Sequence, residues 1–305
     1  SLYFVAGNRI MRVKPDGVVE TVAGTGTLGF TPAVPSADAR TVAIWPMGTA
    51  ALALDAPRNR LFYTQRCAIY VVDLLTHAME LYIGGPGTCS NTGEGGLAVN
   101  ATSFEVGYMA VSDTGVLFFV TVGSNATPRS MRYIDTAGRI ATILVVGTGT
   151  PALAIGGYLG DVGAIPGESD AVLLATDCTT PAGTRECILR VTTAGELTHL
   201  AGAMGNDASP ENIPAVSAVL GDAESVEMLS TGEIVIAEYI YDRVRVIGLD
   251  GMIRTIAGDR LTPGDTGDGG PGTMALLRDP AWLSVYGDDH LAFWQASSRV
   301  IRAIW

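Results

Sequence analysis

A unit of four short strands, repeated six times along 305 residues, predicts an all-β chain folded as a six-bladed β-propeller of four-stranded antiparallel blades. Three observations predict it. First, five segments end an apolar strand on glycine, at Gly24, Gly84, Gly147, Gly202 and Gly258, with spacings of 60, 63, 55 and 56 residues. Second, each is preceded by another apolar strand that usually carries arginine: Ile10–Val13, Ile69–Val72, Met131–Ile134, Ile188–Val191 and Val244–Ile247, with a further copy at Val300–Ile304. Third, the stretch from Thr92-Gly93-Glu94-Gly95-Gly96 through Ala101 to Val111 aligns without a gap on Thr266-Gly267-Asp268-Gly269-Gly270 through Ala275 to Val285. Its offset of 174 residues equals that between Gly84 and Gly258.

Each unit reads as strand, tight turn, strand, loop, strand, turn, strand, named a to d from the inside outwards. Gly, Asp and Asn mark the turns, as in Asp135-Thr136-Ala137-Gly138 and Leu249-Asp250-Gly251. The second unit gives Ala51–Leu54, Leu61–Tyr63, Ile69–Asp73 and Met79–Ile83. One such sheet cannot bury its apolar faces alone, and stacking six of them does so while leaving only short edges. The blades are expected at about 1–24, 47–85, 107–147, 161–202, 225–258 and 281–305, as one propeller domain. The first blade shows b, c and d and the last a, b and c, so the ring is expected to seal between the chain ends.

These residues resemble the NHL-repeat family, in which a "TVAG" strand and a glycine-rich "GDGGPA" linker recur. Gly258 to Pro280 is the closest copy, and the resemblance runs the length of the chain. The aspartate that closes the second strand in that family is poorly kept, with Gly7, Gln65 and Gln295 near its place.

Hydrophobic residues make up 48% and charged residues 16%, enough apolar material for a large core. No apolar run approaches the eighteen or so residues of a membrane span, so direct insertion by this domain is not expected. A net charge of −12 excludes a nucleic-acid groove, which needs the opposite sign.

The four cysteines allow three pairings. Cys67 lies in the b–c loop of blade 2 and Cys89 in the d–a linker that follows, so both reach one face. Cys178 and Cys187 flank the b–c loop of blade 4. Local pairing, Cys67 with Cys89 and Cys178 with Cys187, fits this topology, whereas cross-pairing would join blades that are not neighbours. Asn100 and Asn125 head Asn-X-Thr sequons and are candidate glycosylation sites.

The d–a linkers hold eleven acids against three bases. Solvated loops are commonly polar. The alternative is an acidic face that steers a basic partner, for which Asp207, Glu211, Asp265 and Asp268 are the candidate contacts.

Propellers of this kind include enzymes. The zinc-dependent amidating lyases need several axial histidines, whereas His77, His199 and His290 fall at a turn, an outer strand and a turn, so no histidine zinc site and no catalytic residue is expected. The six-bladed lactonases hold calcium with channel carboxylates. Glu105, Asp279 and Glu227 are the only candidates for such a metal, weighed against the ordinary role of turn carboxylates as acceptors of backbone N–H groups.

The expectation is therefore a non-catalytic, extracellular protein-binding or adhesion propeller with no cofactor. Its general character resembles the ectodomain of a kinetoplastid flagellar adhesion glycoprotein. That resemblance implies a membrane-anchored parent in the secretory pathway and, as partner, another surface glycoprotein. The alternative is a calcium-dependent hydrolase or lactonase-like enzyme with a site at the channel mouth.

Overall fold

Six antiparallel sheets, one per repeat, make up the computed structural model, which describes residues 1–29, 37–46, 51–84, 89–122, 129–147, 149–150, 153–205 and 210–305. They are the blades of a six-bladed β-propeller. The chain forms two compact units, Ser1–Leu144 and Val145–Trp305.

In the first unit, blade 1 has three strands, Leu2–Val5, Ile10–Val13 and Val19–Ala23. Blade 2 runs from Leu52–Asp55 to Ala78–Ile83, and blade 3 from Val106–Val111 to Ile140–Val145. In the second, blade 4 spans Leu153–Ala164 to Leu197–Ala201 and blade 5 spans Ala223–Met228 to Met252–Gly258. Blade 6 has three strands, Pro280–Tyr286, His290–Gln295 and Val300–Ile304. Strand a of blade 4 starts at Leu153, inside the stretch 148–160 that sequence reading assigns to a linker. This connection has no TG(D/E)GG turn, so nothing stops its apolar residues from joining the sheet.

The repeat-closing glycines have a steric cause. Gly84, Gly202 and Gly258 have φ of +89°, +108° and +88°, and a Cβ at each would lie 2.2–2.3 Å from the carbonyl oxygen of Cys67, Glu186 or Asp242. Only glycine satisfies both the left-handed backbone and the close approach.

Blade faces pack on one another through aliphatic, aromatic and methionine side chains. Phe62, Phe119 and Met109 meet between blades 2 and 3, and Leu173, Ile188, Val226 and Ile236 between blades 4 and 5. Each such side chain, fully buried, contributes about 1.5–3 kcal/mol. The linkers protect outer edges: Ala37–Asp38 pairs with strand d of blade 2, Leu97 bridges Arg139 in blade 3, and Ile213–Pro214 pairs with strand d of blade 5.

A buried polar residue holds the same place of strand b in five blades: Gln65, Thr121, Glu238 and Gln295 end the strand in blades 2, 3, 5 and 6, and Thr176, paired with Cys187, stands there in blade 4. Gln65 accepts from the Trp45 N–H at 2.9 Å, and Gln295 donates to Asp265 at 2.6 Å and accepts from Arg302 at 3.1 Å. Glu238 is fully buried and accepts from the Arg243 guanidinium. In blades 2, 5 and 6 this end of strand b is thus tied down by side-chain hydrogen bonds.

Candidate functional site

In the second unit the a strands of blades 4, 5 and 6 are all irregular. Their pairing with strand b shifts register between Ile155 and Leu159 and between Leu159 and Val162 in blade 4, between Ala223 and Ser225 in blade 5, and between Ala281 and Ser284 in blade 6. A bulge breaks the in–out alternation and re-aims a side chain. Tyr158, Glu224 and Trp282 stand at these bulges, and the Tyr158 hydroxyl donates to Glu224 Oε2 at 3.4 Å. Trp282 has φ of 46°, unusual for a bulky residue, is 49% exposed, and stacks on Trp294 with ring centroids 6.4 Å apart. Asp222 and Asp279, which precede strands a of blades 5 and 6, are also left-handed, with φ of 54° and 48°.

The result is an acidic mouth. Asp177 and Glu186, from strands b and c of blade 4, join Asp222 and Glu224 from the start of blade 5, and Asp242 and Asp279 follow towards blade 6. Burial raises the pKa of Asp222 and the charge of Asp177 raises it further; Glu224 is raised by burial and then by Asp222. Glu186 is pushed well above the usual carboxyl range by burial first and by its hydrogen bond with Asp177 second. Its Oε2 is buried with no hydrogen-bond partner among the described residues. Burial also raises Tyr239, with the charges of Asp279, Glu224, Asp222 and Asp242 adding to it. Arg278 acts on Asp242 in the opposite sense.

Deeper along the same strands, Asp161 accepts the Ser225 hydroxyl and the backbone N–H groups of Val226 and Val162, at 3.2 and 2.9 Å. Ser225 Oγ in turn accepts the Leu283 N–H at 2.9 Å, so one hydroxyl ties the a strands of blades 4, 5 and 6. Burial lifts Asp161 to about 7 against these hydrogen bonds, and Glu227 is raised well above its ordinary value by burial and by Asp161.

The residues singled out from sequence are placed as follows. Glu211 accepts the N–H and hydroxyl of Thr255, at 2.6 and 2.8 Å, and lines a cleft of about 390 Å³ with Arg243, Asp259 and Arg260. Asp265 accepts from Gln295 and Ser298, and Asp268 pairs with Arg302 at 2.6 Å while 83% exposed. Three of the four acids assigned to a partner are therefore held by their own chain, and Asp207 lies outside the described residues. Asp279 belongs to the mouth and accepts from Ser297, Glu227 lies beside Asp161, and Glu105 is in the first unit. Among the described residues no three metal-binding side chains are grouped to hold an ion.

The structure joins Cys67 to Cys89 and Cys178 to Cys187, with Cα–Cα distances of 5.3 and 5.9 Å. Asn100 is exposed at the end of a short 3-10 turn, and Asn125 lies outside the described residues. His77 sits in a turn at φ 63°, His199 in strand d of blade 4, and His290 opens strand b of blade 6. No helix among the described residues is long and apolar enough to cross a membrane.

Sequence reading counted Asp222, Glu224 and Asp279 among the linker acids but did not gather them into a site, and it missed Asp177, Glu186, Asp161 and Trp282. One signal was available: Glu224 and Glu227 interrupt an apolar strand, where a charge calls for a local reason.

No known family's sequence profile matches this chain, and no curated protein matches its sequence. Solved structures do match its fold. One is a structural-genomics protein of unknown function from Bacteroides thetaiotaomicron, 15% identical with a TM-score of 0.61, covering 98% of this chain; the chain spans 66% of that protein. A gluconolactonase from Xanthomonas campestris is 13% identical with a TM-score of 0.53, over 95% of this chain and 76% of that one. An auxiliary nutrient binding protein from Bacteroides ovatus is 12% identical with a TM-score of 0.52, over 97% and 82%. At such identities the likeness is one of architecture, shared by enzymes and binding proteins alike, and what it shows of this chain is the six-bladed β-propeller fold.

Proposed function

We propose that this chain is an extracellular, non-catalytic binding propeller whose acidic mouth takes a cationic surface of a protein partner. The observation that carries the reading is the mouth itself: burial raises the pKa of Glu186, Asp222 and Glu224, and the acids around them, Asp177 among these, raise it further. A partner's arginine or lysine entering that field relieves the repulsion, which makes the mouth selective for positive charge. Trp282, strained and half exposed on the next strand, supplies an aromatic contact of the kind that dominates protein interfaces. Glu211, Asp265 and Asp268, held by their own chain but partly exposed, extend the field that steers the partner in.

Two disulfides support an oxidising compartment. The general resemblance to kinetoplastid flagellar adhesion glycoproteins of the NHL-repeat type adds the rest of the proposal: a membrane-anchored glycoprotein whose propeller engages another surface glycoprotein. The test is retention. Immobilised chain and its Asp222→Asn/Glu224→Gln variant are exposed to solubilised, surface-labelled glycoproteins of cells that express the protein. A glycoprotein held by the parent chain, eluted by salt and lost from the variant supports the reading. Equal retention by both removes the mouth from it.

A further inference from the structure

Blade 5 departs from the other repeats at one position of its sheet. The residue of strand c paired with the closing end of strand b is Ile10, Ala68, Ser130, Cys187 and Val300 in blades 1, 2, 3, 4 and 6, uncharged in each. In blade 5 it is Arg243, which faces Glu238, and both are buried. Two charges taken out of water stabilise a fold no better than an apolar pair of similar volume. An ion pair in one repeat of six therefore calls for a local reason.

Arg243 lines the cleft of about 390 Å³ together with Glu211, Thr255, Asp259, Arg260 and Thr273. That volume is at the small end of ligand pockets, which span about 300–1,000 Å³. Three contacts hold the Arg243 guanidinium. Nε donates to Glu238, Nη1 lies 3.8 Å from Glu211, and the cation sits over the Tyr241 ring, 5.3 Å from its centroid. Nη2 is buried and has no hydrogen-bond partner among the described residues. Arg260, from the linker that follows, lies over the same ring at 5.5 Å. Tyr241 in turn packs on Gly221, where a Cβ would come within 2.2 Å of the ring. One aromatic ring thus fixes two guanidinium groups at one cleft, and donors ordered in advance lose little freedom on binding.

We propose that this cleft binds a sugar acid, with the carboxylate on Arg243 and Arg260 and the hydroxyls on Glu211, Asp259 and Thr273. Two guanidinium groups call for an anion, and their planar forks match a carboxylate. Glu211 and Asp259 in the same cleft repel a dianion such as phosphate, yet they accept hydroxyl donors. Each oxygen of Glu211 takes one bond from Thr255, its N–H or its hydroxyl, and has capacity for a second. A monoanion ringed by hydroxyls meets both demands, whereas a bare anion meets only the first. The cleft belongs to blade 5 and the linker after it, and the proposal does not rest on the reading of the mouth.

The probe is D-glucuronate, titrated against the 305-residue chain and followed by saturation-transfer NMR of the sugar protons. The expected result is saturable binding, at least tenfold tighter than that of D-glucose, which lacks the carboxylate, or of acetate, which lacks the hydroxyls. Arg260→Gln should weaken glucuronate tenfold or more, and Arg260→Lys should restore little of it, because an ammonium offers a point charge in place of a planar fork. Absence of saturable binding, or equal binding by the Arg260→Gln chain, overturns the proposal. So does displacement of glucuronate by equal concentrations of phosphate or L-serine, which would make the cleft a general anion site or an amino-acid site. The comparison of ligands on the parent chain keeps the test valid if a variant is unstable.

Discussion

Asp161 accepts the hydroxyl of Ser225 and the N–H of the residue after it, and so fixes strand a of blade 4 to strand a of blade 5 beneath the acidic mouth. The bond holds whether or not Asp161 is charged, but the carboxyl carries a pKa of about 7 because burial outweighs its three hydrogen bonds.

That value has a consequence for stability. An unfolded aspartate titrates near pH ~4, so between there and about 7 the folded chain holds a proton that the unfolded chain has lost. The contribution is complete below the unfolded pKa and disappears as pH rises through the folded one. Asp161→Asn keeps an acceptor for Ser225 and never ionises. It should remove about one proton from the pH slope of unfolding across this window, raising Tm by a few degrees at pH ~8 and changing it little at pH ~4. Thermal scans of both chains across the range check this; parallel curves would show that Asp161 titrates normally.

The two disulfides should differ in worth. They enclose sequence separations of 22 and 9 residues. Loop-closure entropy then assigns about 3.4 kcal/mol to Cys67–Cys89 and about 2.6 kcal/mol to Cys178–Cys187. The second also lies across a hairpin already paired from Ala171↔Thr192 to Thr180↔Gly183, which lowers its contribution further. Urea denaturation of the two double-serine variants should therefore find the Cys67/Cys89 chain the less stable, and non-reducing peptide maps of the parent chain should show only these two links.

Glu238 is fully buried beside Arg243 and Arg245, both buried as well. Burial raises its pKa in spite of the two guanidinium groups. Glu238→Gln leaves two buried cations with Glu211, at 3.8 Å, as the acid paired with them among the described residues, and should cost about 3 kcal/mol in urea denaturation. A loss below about 1 kcal/mol would mean that water reaches the arginines.

Trp282 separates stability from recognition. Replacing it with glycine releases the left-handed strain, about 1–2 kcal/mol, and gives up a half-exposed stack of comparable worth. Stability should shift by less than about 1 kcal/mol, a small change for an interface-sized residue. Retention of the surface glycoprotein captured by the parent chain should fall tenfold or more. A variant that keeps full retention would remove Trp282 from the interface.

The sequence made the fold legible because propeller repeats leave local marks. The closing glycines are compelled by carbonyls that no Cβ can approach, and Ala101 and Ala275 recur because the glycines of the TG(D/E)GG turn pack directly on them. The mouth was less legible. Asp177, Glu186 and Glu224 come from three strands of two blades and Asp222 from the residue before the last of these, and their proximity depends on bulges at Tyr158 and Glu224 that have no mark beyond glycine and an unexpected charge. Linker acids look alike in a sequence, yet Glu211, Asp265 and Asp268 are spent on their own chain while Asp222 and Glu224 are left facing other acids.

The claim that the mouth is built for positive charge is tested most directly by association kinetics with an oligo-arginine peptide across a salt series. Exposed charges are screened beyond about 8 Å at physiological ionic strength, so association should slow as salt rises. Asp222→Asn/Glu224→Gln should lower the rate at low salt by about tenfold and flatten its salt dependence, with a smaller effect on dissociation. A rate and a salt slope identical to those of the parent chain would contradict the account.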